Sequence, residues 1–259
     1  VKLIFQPAEE GVRGARAMAA AGIVDDVDYF FGMHIGFNAN KDDTFICMTD
    51  NFLATSKLDA TFEGVSAHAG LAPQNGKNAL LAAAQACISL HTIARHGDGV
   101  TRINVGVVQA GTGRNVLPDT AKIKFETRGA NTPINDFMYH EAKRMVQGAA
   151  LLYDVQVTTE EMGGAPSCKL DRDFGAQIYE IIKATGQFKE VIPEVGLGAS
   201  EDCTYFMDRV QAHGGKAIYM MCGSNYTAGH HNSKFDFHEK NLVNAAAGLA
   251  TLAQAFVSK

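Results

Sequence analysis

In the segment QPAEEG, the paired carboxylates Glu9 and Glu10 follow a short apolar run and precede a glycine. Open α/β sheets place their ligands outside the carboxyl ends of strands, so acids at such an end are positioned for chemistry. Held together in a cleft, two carboxylates repel, and one pKa rises unless a cation lies between them. A metal ligand beside a general base resolves that conflict; so does an exposed acidic pair favoured by the positive end of a helix. His34 closes the apolar run FFGMHIG, where a neutral imidazole can ligate a metal or sit hydrogen-bonded in a core. His230 and His231 follow Gly229 in the polar loop TAGHHNSKFDF and read either as ligands or as ordinary surface residues. Taken together, these acids and imidazoles suit an oxygen/nitrogen metal site that needs no thiolate.

Three further stretches carry polar groups on loops or strand ends. SAHAGLAP puts His68 on a small-residue loop where backbone can approach a ligand closely, or where the histidine is simply a turn residue. AGTGRNVLPD offers Arg114 and Asn115 between two strands, and FETRG offers Arg128 at a strand end, either as a bidentate carboxylate grip or as a surface cation. The GTG of this loop is no phosphate cradle. It lacks both GxGxxG and a following Lys-Ser/Thr, and it joins strand to strand rather than strand to helix.

The elements that must position these residues follow two grammars. The first fifty or so residues read as a strand (VKLIF), a short helix (GARAMAAAG) ending at Gly22, a strand (VDYFFGMHI) and a further strand-like piece (DTFICMTD). After about residue 167 the same α/β alternation returns. It gives a helix from Arg172 to Thr185, another after Ser200, a strand KAIYMMC, and a helix from about Glu239 to Val257. In that last helix Leu242, Val243, Ala246, Leu249, Leu252, Ala253 and Phe256 recur at helical spacing and predict a packed face. Between them the chain reads strand, helix (Asn78 to Ala94), strand, strand, helix (Ile134 to Tyr153), strand. This βαββαβ order predicts a ferredoxin-like module inserted into an α/β domain. The expected division is 1–54 with 167–259 for the α/β domain, and 55–166 for the inserted module.

Composition excludes several classes. With 46% hydrophobic and 20% charged residues, the chain can bury a sizeable core and is neither disordered nor collagen-like. A net charge of -5, without a basic block, gives no electrostatic reason to bind nucleic acid or an anionic membrane. No apolar run approaches the roughly 20 residues that span a bilayer, and VKLIFQPAEE lacks the features of a signal peptide. The five cysteines are odd in number, scattered and never in CxxC spacing, which argues against a disulfide framework and for a cytoplasmic location.

QPAEEG, GMHIG, SAHAGLAPQNGKNAL, GTGRNVLPD, GASED and GHHNSKFDF, in this order along the whole chain, resemble the M20 metallopeptidases. The match is to the amidohydrolase branch that holds aminoacylases, hippurate hydrolases and auxin-conjugate hydrolases. The resemblance implies cleavage of an N-acyl amino acid at its amide bond by a centre of two divalent metal ions, zinc or manganese. By position, Glu9 matches the general base, and Glu10, His34 and His231 match metal ligands. His68 matches a lid histidine that reaches the site of the other protomer and stabilises the oxyanion, while Asn115 and Arg128 match substrate-gripping residues. The inserted module is implied to form a homodimer and act as a lid, and a further partner in the form of a second, related subunit is left open.

Relatives of this type carry, before the QPAEE strand, a Cys/His-rich motif with further ligands that this sequence lacks, so the chain is expected to be truncated and weak or inactive by itself. Two other readings stay open: a non-catalytic dimerising or binding protein with an incomplete metal site, and another M20-type hydrolase, such as a dipeptidase or N-acyl amino acid deacylase.

Overall fold

The computed structural model describes residues 1–36 and 38–257. In chain order its elements are α1 (Gly14–Ala20), β1 (Tyr29–Ile35), β2 (Thr44–Ile46), β3 (Thr49–Asp50), β4 (Ala54–Glu63), α2 (Ala79–His91), β5 (Thr101–Ala110), β6 (Thr120–Gly129) and α3 (Thr132–Leu152). There follow β7 (Gln156–Ala165), α4 (Arg172–Ala184), β8 (Glu190–Ile192), β9 (Val195–Gly196), α5 (Thr204–Ala212), β10 (Lys216–Cys222) and α6 (Lys240–Val257). They form two compact units. One holds Val1–Glu9, Gly14–Phe52 and the chain from Cys168 onward; the other holds Glu10–Arg13 and Leu53–Ser167.

The first unit is built on a four-stranded mixed sheet of order β1-β10-β2-β8, with β3 and β9 as a separate parallel pair. Its core explains why β10 is apolar from Ala217 to Cys222. Ala217, Tyr219 and Met221 face a cluster with Ala15 and Ala19 of α1 and Phe206, Met207 and Val210 of α5. Ile218 and Met220 face the opposite cluster, with Phe174, Ile178 and Ile182 of α4 and Leu252 and Phe256 of α6. A strand covered by helices on both faces buries every side chain, so alternation disappears from its sequence.

Three expectations are corrected here. VKLIF joins no ladder: Val1, Leu3 and Phe5 are exposed, Ile4 alone packs partly on the α1/α5 cluster, and a strand without a neighbour has nowhere to place its backbone hydrogen bonds. DTFICMTD is two short strands, β2 and β3, because after Ile46 the chain leaves the β10 ladder. The apolar stripe of α6 is covered only in part. Leu252 and Phe256 are buried, whereas Leu242 and Val243 stand in solvent. The short strands β8 and β9, in EVIPEVG, have no counterpart among the elements expected from sequence, since three and two residues are too few to show a period.

The second unit runs β4, α2, β5, β6, α3, β7, with an antiparallel sheet of order β5-β6-β4-β7. Here strict alternation survives, because the core lies on one side of the sheet. Leu58, Ala60 and Phe62 of β4 and Ala121, Ile123 and Phe125 of β6 share one cluster with both helices. Both helices have side-chain caps: Asn78 accepts from Leu81 N at 3.2 Å and Asn131 from Ile134 N at 3.0 Å. Glu10–Arg13 belongs to this unit because the Val12 carbonyl accepts from Gly164 N at 2.9 Å and the Glu10 carbonyl from Lys57 Nζ at 2.9 Å.

Candidate metal centre and its surroundings

Within the first unit, the extended segment 1–8 ends in a short turn that carries Glu9. Its close approach to α1 is set by Gly14, where a Cβ would fall 1.6 Å from the Pro7 carbonyl oxygen, so no other residue fits. Glu201 and Asp202 stand on the loop that enters α5, and Tyr219 points from the middle of β10. The carboxylates of Glu9, Glu201 and Asp202 offer oxygens within 4.8 Å of one another. Among the described residues this is the trio of acidic, histidine or cysteine side chains compact enough to hold a cation.

Burial makes this trio electrostatically expensive unless charge is balanced. Glu201 is held by two donors: the Tyr219 hydroxyl at 2.9 Å on Oε2 and the Cys203 N–H at 3.2 Å on Oε1. Burial nevertheless pushes its pKa above the ordinary carboxylate value. Asp202 accepts from Ala15 N at 3.1 Å and from the Gln6 amide, and burial raises it likewise. The Cys203 thiol and Tyr219 phenol are pushed well up by burial, which keeps both neutral.

His34 lies at the end of β1, opposite Met221 of β10. Its Nδ1 sits 2.7 Å from the Ile35 carbonyl oxygen; that oxygen can only accept, so Nδ1 carries a hydrogen, the tautomer in which a neutral ring has its lone pair on Nε2. His34 acts electrostatically on both Glu201 and His230, and its ring centroid is 5.5 Å from that of His230. Burial, then the neighbouring His34 and His231, lower the pKa of His230, which favours a neutral imidazole. Gly36, with φ +71, turns the chain just after His34, and a Cβ there would lie 3.2 Å from His230 Nε2.

The structure thus groups Glu9 with Glu201 and Asp202, and His34 with Glu201, His230 and, through His230, His231. Glu10 is exposed and belongs to the second unit. From sequence, Glu201, Asp202 and Tyr219 had no role, and His230 with His231 read as either a ligand or a surface residue. The first two sit in GASED as an acidic pair before a helix, the same signal as Glu9 and Glu10; Tyr219 lies in an apolar strand with no local signal. A groove of about 1810 Å3 in this unit is lined by Glu9, His34, Glu201 and Tyr219, and continues past Leu249 and Phe256. It runs along β1, whose outer edge has no strand partner among the described residues.

In the second unit, His68 and Asn115 meet on paired loops. Ala69 N donates to the Asn115 carbonyl at 2.9 Å, Leu117 N donates to the Ala67 carbonyl at 2.9 Å, and His68 bridges to Val116. His68 Nδ1 accepts from Gly70 N at 3.1 Å and Leu71 N at 3.2 Å, so the ring hydrogen resides on Nε2, and this exposed imidazole presents a donor. Arg128, on β6, forms a bidentate pair with Glu126, at 2.9 Å from Nε and 3.2 Å from Nη2.

Residues 1–255 match the family model described as peptidase family M20/M25/M40. The chain belongs to the M20 family. It is 50% identical to a p-aminobenzoyl-glutamate hydrolase subunit of Escherichia coli, over 99% of this chain and 59% of that protein. It is 49% identical to indole-3-acetyl-aspartic acid hydrolase of Enterobacter agglomerans, again over 99% of this chain and 59% of that protein. The crystal structure of the aminobenzoyl-glutamate utilization protein from Klebsiella pneumoniae superposes with a TM-score of 0.88 at 45% identity, covering 98% of this chain and 61% of that one. This M20 chain therefore spans about three-fifths of the length of these relatives. No helix among its described residues is long and apolar enough to cross a membrane.

Proposed function

We propose that this chain is part of a metal-dependent amidohydrolase that cleaves the amide of an N-acyl amino acid, with p-aminobenzoyl-glutamate, split to p-aminobenzoate and glutamate, as substrate. The observation that carries the reading is the meeting of Glu9, Glu201 and Asp202 within 4.8 Å, beside a His34 whose neutral ring has its lone pair on Nε2. The 50% identity to a hydrolase of that name supports the substrate. The similar identity to an indole-3-acetyl-aspartate hydrolase makes that conjugate the second substrate to test.

The donor types fit zinc or manganese, since both accept imidazoles and carboxylates, and the ligands from this chain supply part of the set that two such ions need. Glu10, His34 and His231 are the proposed ligands from this chain. When bound, such ions polarise the scissile carbonyl and lower the pKa of an attacking water. Glu9 takes the proton from that water as its oxygen bonds to the carbonyl carbon, then delivers it to the amine nitrogen as the C–N bond breaks. His68, with its hydrogen on Nε2, is the proposed donor to the oxyanion. Asn115 and Arg128 are the proposed grips on the substrate, and for Arg128 to hold a free carboxylate its pairing with Glu126 must be shared or exchanged.

The architecture belongs to the same proposal: 1–54 and 167–259 as the metal-binding domain, 55–166 as a ferredoxin-like lid that forms a homodimer, a further partner in a second, related subunit, and a cytoplasmic location. The test is hydrolysis of p-aminobenzoyl-glutamate and indole-3-acetyl-aspartate, followed by release of the free acids, with metal content measured on the same sample. Turnover of neither substrate by a metal-loaded protein of the relatives' full length would reject the substrate class.

A further inference from the structure

The loop that leaves β10 and enters α6 carries His230 and His231, and it is built as an irregular hairpin. Tyr226 and Phe237 form an isolated bridge at its base, Thr227 N donates to the Asp236 carbonyl at 3.0 Å, and Asn232 N donates to the Gly229 carbonyl at 3.2 Å at its tip. His231 has φ +62, a left-handed conformation that a non-glycine residue holds only when its surroundings impose it. The ring of His230 packs on Phe235 at 4.8 Å and Tyr226 at 5.6 Å, so the position of the tip follows from the position of the base.

What fixes that base is one carboxylate outside the loop. Asp42, on the segment between β1 and β2, accepts at Oδ1 from Asn225 N at 2.9 Å and from Asn241 Nδ2 at 2.8 Å. At Oδ2 it meets His238 Nδ1 at 2.6 Å and Lys240 Nζ at 3.2 Å. Asn225 and His238 flank the Tyr226–Phe237 bridge, so a single side chain holds both feet of the hairpin. Neighbouring bonds act in the same direction: Ser224 N donates to the Ala39 carbonyl at 3.1 Å and Tyr226 N to Asn40 Oδ1 at 3.2 Å. Burial opposes ionisation of Asp42, but the Asn225, His238, Asn241 and Lys240 donors outweigh it and hold the carboxyl well below its usual range. The segment that carries Asp42 is continuous with β1 and hence with His34, so the clamp ties the His230–His231 loop to the strand that presents the third imidazole.

We propose that Asp42 is the positioning residue of the His230–His231 loop and, resting on the metal-centre reading above, that it sets how tightly His231 holds its ion. Groups that orient ligands typically change metal affinity by about 10–100-fold when removed. The experiment compares wild type, Asp42→Ala, His238→Ala, His238→Asn and His231→Ala by amide hydrogen exchange across residues 225–238 without metal, and by titration with Zn2+ or Mn2+. Expected are faster exchange across this stretch in Asp42→Ala and His238→Ala, and near-normal exchange in His238→Asn, whose amide N–H replaces the Nδ1 donor. Metal affinity should fall about tenfold or more in Asp42→Ala and in His231→Ala. Unchanged exchange in a folded Asp42→Ala overturns the clamp, and so does unchanged affinity in Asp42→Ala where His231→Ala weakens binding. If His231→Ala itself leaves affinity intact, the ligand assignment of His231 falls, while the exchange data still decide the clamp. Should Asp42→Ala fail to fold, the contrast between His238→Ala and His238→Asn decides it alone.

Discussion

The Tyr219 hydroxyl reaches across the core of the first unit to donate a 2.9 Å hydrogen bond to Glu201 Oε2, tying the central strand β10 to the buried carboxylate trio. Removing one partner of a buried hydrogen bond leaves the other unsatisfied. Tyr219→Phe should therefore lower stability by about 1–3 kcal/mol in urea unfolding and raise the Glu201 pKa further. A variant as stable as wild type would show that water replaces the phenol at no cost.

Asp42 provides a pH signature. Its folded pKa lies below that of the unfolded chain, so its contribution to stability is fully present above the unfolded carboxylate value and is lost as pH falls toward the folded one. Thermal melts from pH 6 down to pH 3 should show Asp42→Asn losing less stability on acidification than wild type. Parallel curves would mean that Asp42 does not titrate on unfolding.

Glu9→Gln separates base from ligand. In its proposed role as general base, Glu9 on replacement should lower the rate constant for hydrolysis by about 10²–10⁴-fold with metal content unchanged. Loss of metal together with activity would make Glu9 a ligand rather than the base.

The core of the second unit should respond independently. Phe62 is fully buried under α2 and α3, and Phe62→Ala should cost about 3–5 kcal/mol in unfolding free energy. Leu151→Ala, at the solvent-facing end of α3 with 82% exposure, should change it by no more than about 0.5 kcal/mol. Equal effects would place the core elsewhere than around β4.

The local grammar of this chain was legible because it depends on neighbours in sequence. The helices read from Asn78 to Ala94 and from Ile134 to Tyr153 are found as α2 and α3, and the alternation through Leu58, Ala60 and Phe62 marks a strand with one buried face. Glu9 and His34 stood out because each closes an apolar run. VKLIF misled for a physical reason: an apolar run states that side chains tolerate burial, while a strand exists only where a second backbone supplies donors and acceptors.

Tertiary structure alone decided which groups meet. Nothing near position 219 marks its tyrosine as the donor to Glu201, and Asp42 reads as an ordinary acid until folding brings Asn225, His238, Lys240 and Asn241 to it. Sequence by itself determined the helices and the longer strands, the βαββαβ order and the M20 motifs, since periodicity and turn residues act within a few positions. Carboxylate proximity, pKa direction and the choice of ring nitrogen were decided by the packed fold, because electrostatic and hydrogen-bond energies depend on distances between atoms that only burial of the core can fix.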